Sequence, residues 1–174
     1  MMGLLRRTRH RSAPAAAPKV RDVTMTEDTY SFEKGGETIN GRGYRLIGDD
    51  GDPIHLFRDE DFAFGTTGAH VCKIAGISHH QQEIQSDEFT PGRRLQLVPD
   101  PKNPYDSNAI EIRTASGTAM AGFVPREVAA QVAPQFRVDG AWQAMCLWEW
   151  RTAARGRIGL QVLIAPGLAL AERG

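Results

Sequence analysis

Apolar and polar residues alternate through most of the second half of the chain. Leu95 and Leu97 share one side of residues 93–98, and Ile110 and Ile112 share one side of residues 109–114. Residues 118–124 follow a Ser116-Gly117 turn. The longest alternation comes last: Trp142, Ala144, Cys146, Trp148 and Trp150, then Ile158, Leu160, Val162 and Ile164, joined by Arg155-Gly156. A period of two puts one set of side chains on one face of a strand, so each segment is expected to be a half-buried strand. Residues 70–77 are β-rich and end at a polar cluster, Ser78-His79-His80-Gln81-Gln82, with a short helix expected over 81–85. Residues 44–47 and 54–57 flank strong turn formers at 48–53 and predict a hairpin. Only residues 125–136 show helical spacing: Val128, Val132 and Phe136 recur every four, Pro125 suits the first turn, and Pro134 is expected to end or kink the helix. Strands at short, regular spacing predict a mainly β fold, a small antiparallel barrel or sandwich with one or two short helices.

With 174 residues the chain has room for one ordinary domain plus tails. The expected division is a basic tail (1–24), an acidic extension carrying the hairpin (25–68, with an acidic connector over 58–67), one barrel (69–165) and a short tail (166–174). Residues 1–21 hold six Lys or Arg and no acid, and too little apolar surface to order themselves. Arg6, Arg7, Arg9 and Arg11 there can meet phosphates without sequence preference. Residues 22–68 carry a net charge of −7, whereas residues 69–165, with ten basic and nine acidic side chains, stand near +1. The longest apolar-rich run, 158–170, is broken by Gln161, Pro166 and two glycines, so no membrane span is expected. The opening MMGLLRRTRHRS has no apolar run behind its basic residues, and Met25 is an alternative start. Two cysteines, Cys72 and Cys146, make no disulfide framework. Together these features predict a cytoplasmic protein with buried thiols.

Enzymatic signatures are missing. Neither GxGxxG nor GxxxxGK[ST] occurs, nor GxSxG, nor HExxH, so no seat for ATP hydrolysis, a Ser nucleophile or a catalytic zinc is visible. The aspartates at 49, 50 and 52 lack the spacing and downstream Glu of a calcium loop. His70, Cys72, His79 and His80 fall within eleven residues but offer no CxxC or HxxxH pair, and adjacent histidines on an extended chain point to opposite sides. No metal or cofactor is expected, nor a nuclease.

One loop stands apart. Pro99, Pro101 and Pro104 forbid regular structure through Asn103-Pro104-Tyr105-Asp106-Ser107-Asn108, which leads straight into an apolar strand. Asn103, Asp106 and Asn108 can bond to nearby backbone and simply hold a tight corner. Tyr105 at the tip can also offer a stacking face to a base, beside a carboxylate able to accept from a sugar hydroxyl.

The run Gly92-x-x-Leu95-x-Leu97, then Asn103-Pro104-Tyr105-Asp106-x-Asn108-Ala109-Ile110, then Gly122-Phe123-Val124-Pro125-Arg126-Glu127-x-Ala129 resembles the HIRAN domain over about residues 69–165. That family occurs at the N-terminus of certain helicases and as a free-standing bacterial protein. The resemblance implies an OB-like β-barrel that takes the 3′ end of single-stranded DNA, in repair or replication. It implies stacking for Tyr105, a bond to the 3′-hydroxyl for Asp106, a pocket-edge place for Asn103 and phosphate contact for Arg126. The opposite wall, an Arg-aromatic pair in the family, falls here on Ser78 and His79, followed by His80. The partner implied is single-stranded DNA or DNA ends, with room for a helicase or repair protein in trans. The other reading open at this level is a protein-interaction barrel that has lost the DNA-end pocket.

Overall fold

The computed structural model describes residues 24–47, 51, 53–54, 62–64, 69–139 and 142–166. The described strands join in one antiparallel sheet. In chain order they are β1 (Thr24–Lys34), β2 (Glu37–Ile47), β3 (Pro53–Ile54), β4 (Phe62–Phe64), β5 (Ala69–Lys73), β6 (Arg94–Pro99), β7 (Ile110–Thr114), β8 (Met120–Phe123), β9 (Trp142–Thr152) and β10 (Gly156–Pro166). A single α-helix, α1 (Arg126–Asp139), and 3-10 turns at Ile77–His79, Glu83–Gln85 and Asp87–Phe89 lie among the described residues. None of the described helices is long and apolar enough to cross a membrane.

The spatial order β4-β5-β10-β9-β6-β7-β8 curls until the chain just beyond β5 reaches the end of β8. Ala75, just beyond β5, exchanges two backbone hydrogen bonds of 2.8 and 2.9 Å with Phe123 at the end of β8. Gly122 makes this closure possible. Its φ is 140°, and a Cβ there would stand 2.2 Å from the Ala75 carbonyl oxygen, so only glycine lets the two backbones approach. The expected fold is therefore present: a mainly β, small OB-like antiparallel barrel.

Its core is built from the inward faces of the strands, among them Cys72, Leu95, Ile110, Ile112, Cys146 and Val162. Ile84 and Phe89, from the 3-10 turns, are fully buried and fill it from one side. From α1, Val128, Ala129, Val132 and Ala133 cover it with one stripe. Removing each large aliphatic side chain from water contributes roughly 1.5–3 kcal/mol. Both cysteines are buried members of this core, and burial pushes the Cys146 thiol up to about 12.

Two local expectations are corrected, the end of the helix at Pro134 and the unbroken alternation from Trp142 to Trp150. Pro134 neither ends α1 nor marks its boundary, because the helix continues to Asp139. Pro134 and Ala130, whose carbonyl loses its partner to the proline, are both on the exposed side, where water can satisfy that oxygen. The five-residue alternation in β9 also fails. Opposite β10 the register passes from Cys146↔Val162 to Trp148↔Gln161, leaving Leu147 as an extra residue. This bulge reverses the parity, so Trp142, Ala144 and Cys146 belong to the core cluster while Trp148 and Trp150 do not.

The principal hairpin of the extension is β1–β2, turned by Gly35 and Gly36 at φ 62° and 83°, the positive values that a two-residue turn matched to strand twist requires. Of the predicted 44–57 hairpin, the described pairs are Leu46↔Ile54 and Ile47↔Pro53; residues 55–57 lie outside the described residues. Within the span read as a connector, β4 pairs with β5. The extension joins the main sheet directly: β2 pairs with β9 from Gly43↔Trp148 to Ile39↔Thr152, on the edge whose other half is taken by β6.

Candidate nucleic-acid interface

The corner between β6 and β7 is held by its own polar side chains. Beyond Pro99 the ladder runs one step further, with Asp100 N–H donating to the Ala109 carbonyl at 2.8 Å. Asn103 then closes a turn on Asp100 through its backbone (3.1 Å) and its side chain, whose Nδ2 donates to Asp100 Oδ2 at 3.1 Å. Two successive side-chain turns follow. Asn103 Oδ1 accepts from Tyr105 N–H at 3.0 Å, and Asp106 Oδ1 accepts from Asn108 N–H at 2.9 Å. Asn and Asp do this because their short side chains reach the backbone two residues on. Asn103 and Asp106 thus spend one oxygen each on the scaffold, as the structural reading of the sequence expects.

What the scaffold presents is Tyr105, 86% exposed and the one large hydrophobic residue so exposed among the described residues. Beside it Arg126, in the first turn of α1, donates from Nη2 to the Tyr105 carbonyl at 3.2 Å, and its Nε lies 3.7 Å from Asp106 Oδ2. The Arg126 side chain is 70% exposed and that of Asp106 20%. An ion pair this open contributes at most about 1 kcal/mol, so Arg126 is free to turn to a stronger anion. Asp100, which the sequence reading left out, completes the corner; its signal was the Asp100-Pro101-x-Asn103 spacing of a side-chain-closed turn.

Ser78 and His79 are exposed on the 3-10 turn Ile77–His79, which starts two residues after the Ala75–Phe123 bridge. Phe123 in turn stands three residues before Arg126, and Val124 N–H donates to the Ile110 carbonyl at the start of β7. The turn, the corner and the start of α1 therefore branch from one junction of the sheet. Asn103, Tyr105, Asp106 and Arg126 are brought together by direct bonds. Among the described residues no hydrogen bond or ion pair links His79 or His80 to them, and half-buried His80 instead directs Nδ1 toward Glu83 Oε1 at 3.8 Å. His70, unlike His79, is buried, and no group of three or more His, Cys, Asp or Glu able to hold a metal forms among the described residues.

A family profile described as the HIRAN domain matches residues 67–163, more than half of the chain. The chain belongs to the HIRAN family. Neither a curated protein nor a solved structure matches it. HIRAN domains are nucleic-acid-binding modules rather than catalytic ones. The matched span of this HIRAN domain contains the whole corner, Arg126 and the His79 turn.

A second polar constellation in the domain was not legible in the sequence. Glu149 in β9 is buried and receives Arg157 Nε at 2.5 Å, with Arg42 of β2 on its other oxygen. Burial, the largest influence, pushes the Glu149 carboxyl up, but the bonds from Arg157 and then Arg42 outweigh it and hold the group below the usual carboxylate range. Arg157 also donates to the carbonyls of Ile84 and Ser86, the latter at 2.8 Å, so it ties the 3-10 turns to the sheet.

Proposed function

We propose that this HIRAN domain binds single-stranded DNA and grips its 3′ end at the Asn103–Asp106 corner, as a module of DNA repair or replication in the cytoplasm. The observation that carries the reading is the placement of Tyr105. A tyrosine left 86% exposed gains nothing for the fold, yet two side-chain turns and the bond from Arg126 fix the backbone beneath it. A preorganised aromatic face stacks a base without first losing conformational freedom. Asp106 Oδ2, turned toward Arg126, is the acceptor for a terminal hydroxyl, and Arg126 then serves the adjoining phosphate. His79 supplies an opposing ring from the neighbouring turn, with His80 behind it. A helicase or repair protein acting in trans is the companion this reading proposes.

The test compares labelled single strands ending in a 3′-hydroxyl with the same strands ending in a 3′-phosphate. Preference for the hydroxyl, lost in Tyr105→Ala and Asp106→Ala, is the expected result. Binding unchanged by both variants removes the corner from the interface. If no strand binds even at low salt, the barrel is a protein-interaction module. The near-neutral charge of residues 69–165 and the outer edge of β1, which pairs with β2 alone among the described strands, favour that second reading.

A further inference from the structure

Three guanidiniums converge on the single carboxylate of Glu149. Arg42 of β2 and Arg157 of β10 donate to its two oxygens, and Arg151 Nη1 of β9 stands 3.5 Å from both. One guanidinium is enough to compensate a buried carboxylate, and Arg157 already fills that place. Its side chain is 1% exposed, and its other amines go to the carbonyls of Ile84 and Ser86 and to Thr90 Oγ1. Arg42 and Arg151 are additional. Their side chains are 50% and 38% exposed, and each gives one nitrogen to Glu149. Among the described residues neither makes a further hydrogen bond or ion pair. Three arginines on one carboxylate leave a surplus of two positive charges at this spot. Register adds to the cost, because Arg151 pairs directly with Arg157 and like charges placed opposite one another destabilise a sheet. Arg42 lies outside residues 67–163, so the cluster is complete only with the added hairpin.

We propose that Arg42 and Arg151 together bind a phosphate monoester. This site goes beyond the corner and does not depend on it. Both guanidiniums rest on Glu149 Oε1, so one small anion can touch the two at once. The nitrogens they leave free, both Nη of Arg42 and the Nε and Nη2 of Arg151, belong to planar forks that receive phosphate oxygens in pairs. Charge on a single group selects the ligand. A phosphate monoester carries about −1.5 to −2 near pH 7 over three oxygens, which answers the surplus in one place. A peptide carboxylate, or a phosphodiester within a strand, brings only one negative charge to the same spot. The monoester arrives either free, as orthophosphate, or at the 5′ end of a nucleic-acid strand.

The experiment uses the full chain and two probes. Orthophosphate binding is measured by calorimetry, and hexathymidylate with a 5′-phosphate is compared with the same strand ending in a 5′-hydroxyl. Orthophosphate binding marks a site for the free anion. A gain of about tenfold for the 5′-phosphate strand, without orthophosphate binding, marks a site for a strand end; tenfold is the effect of one charge-assisted hydrogen bond. Either effect should be lost in Arg42→Gln and in Arg151→Gln. Arg151→Gln leaves Arg42 and Arg157 on Glu149, so with an unchanged melting temperature it decides the matter even if Arg42→Gln loosens the hairpin. Three results overturn the proposal: neither probe shows an effect, the effect survives both variants, or the variants weaken the 5′-hydroxyl strand equally. Displacement of the phosphate probe by tetra-aspartate as readily as by orthophosphate overturns it too, in favour of an acidic peptide. The corner is judged separately. Preference for a 3′-hydroxyl should persist in Arg42→Gln and Arg151→Gln, and the 5′-phosphate effect should persist in Tyr105→Ala, so the failure of one site leaves the other standing.

Discussion

Arg157 Nε donates to Glu149 Oε2 at 2.5 Å with the two side chains only 1% and 0% exposed. A buried guanidinium and carboxylate of this kind depend on each other: removing one leaves an uncompensated charge in the interior, at a cost of roughly 3–5 kcal/mol. Glu149→Ala is therefore expected to lower unfolding free energy by about that amount in urea titrations. Arg157→Met should cost less, because Arg42 and Arg151 still face Glu149 from the more exposed side. Equal effects of the two changes would mean that the carboxylate is not the centre of the network.

The same pair sets an acid sensitivity. Glu149 has its folded pKa held below the ordinary glutamate value, so its contribution is complete above that ordinary value and is lost as pH falls through the depressed one. Stability measured from pH 7 downward should decline in the acid range, and Glu149→Gln should flatten that part of the profile. An unchanged profile in Glu149→Gln would assign the acid loss to other carboxylates.

Tyr105 and Asn103 sit two residues apart but should respond differently. Tyr105→Ala removes an exposed ring, so its effect on unfolding should stay within about 0.5 kcal/mol while its effect on strand affinity reaches about 1–3 kcal/mol. Asn103→Ala breaks the bonds to Asp100 and Tyr105 and should reduce stability by roughly 1 kcal/mol as well as affinity. Thermal melts and binding titrations on both variants separate the presented group from its support.

Arg126 is the cation placed on the corner, and a phosphate contact by it has a signature in salt. For single strands each neutralised phosphate adds about −0.7 to the slope of log K against log salt concentration. Arg126→Gln should make the slope shallower by about that amount. A slope unaltered by the change would confine Arg126 to bracing the Tyr105 carbonyl.

Gly122→Ala tests the closure of the barrel. A methyl 2.2 Å from the Ala75 oxygen forces β8 and the end of β5 apart, with an expected loss of about 2 kcal/mol or more. Hydrogen exchange should show the amides of Ala75 and Phe123 losing protection first, since these two donate across the seam. Retained protection at both would show that the seam tolerates a side chain.

Taken alone, the sequence determined much of the matched domain. Period-two alternation marked β6, β7 and β10, the Ser116-Gly117 turn marked the start of the segment that holds β8, four-residue spacing marked α1, and the proline-bracketed run with Asn103 and Asp106 marked the corner, because all of these are settled by neighbours a few residues apart. The N-terminal boundary of the architecture was not local in this way. That β2 would share an edge of β9 with β6, that a bulge at Leu147 would send Trp148 and Trp150 away from the core, and that Glu149 would bury itself between Arg42 and Arg157 were decided by strand register across the folded sheet. So was the meeting of Arg126 with Tyr105 and Asp106, and of Lys73 with Trp150. A residue's type and spacing limit which partners it can satisfy; only the closed barrel selects which of them it meets, since pairing register is a property of two strands at once.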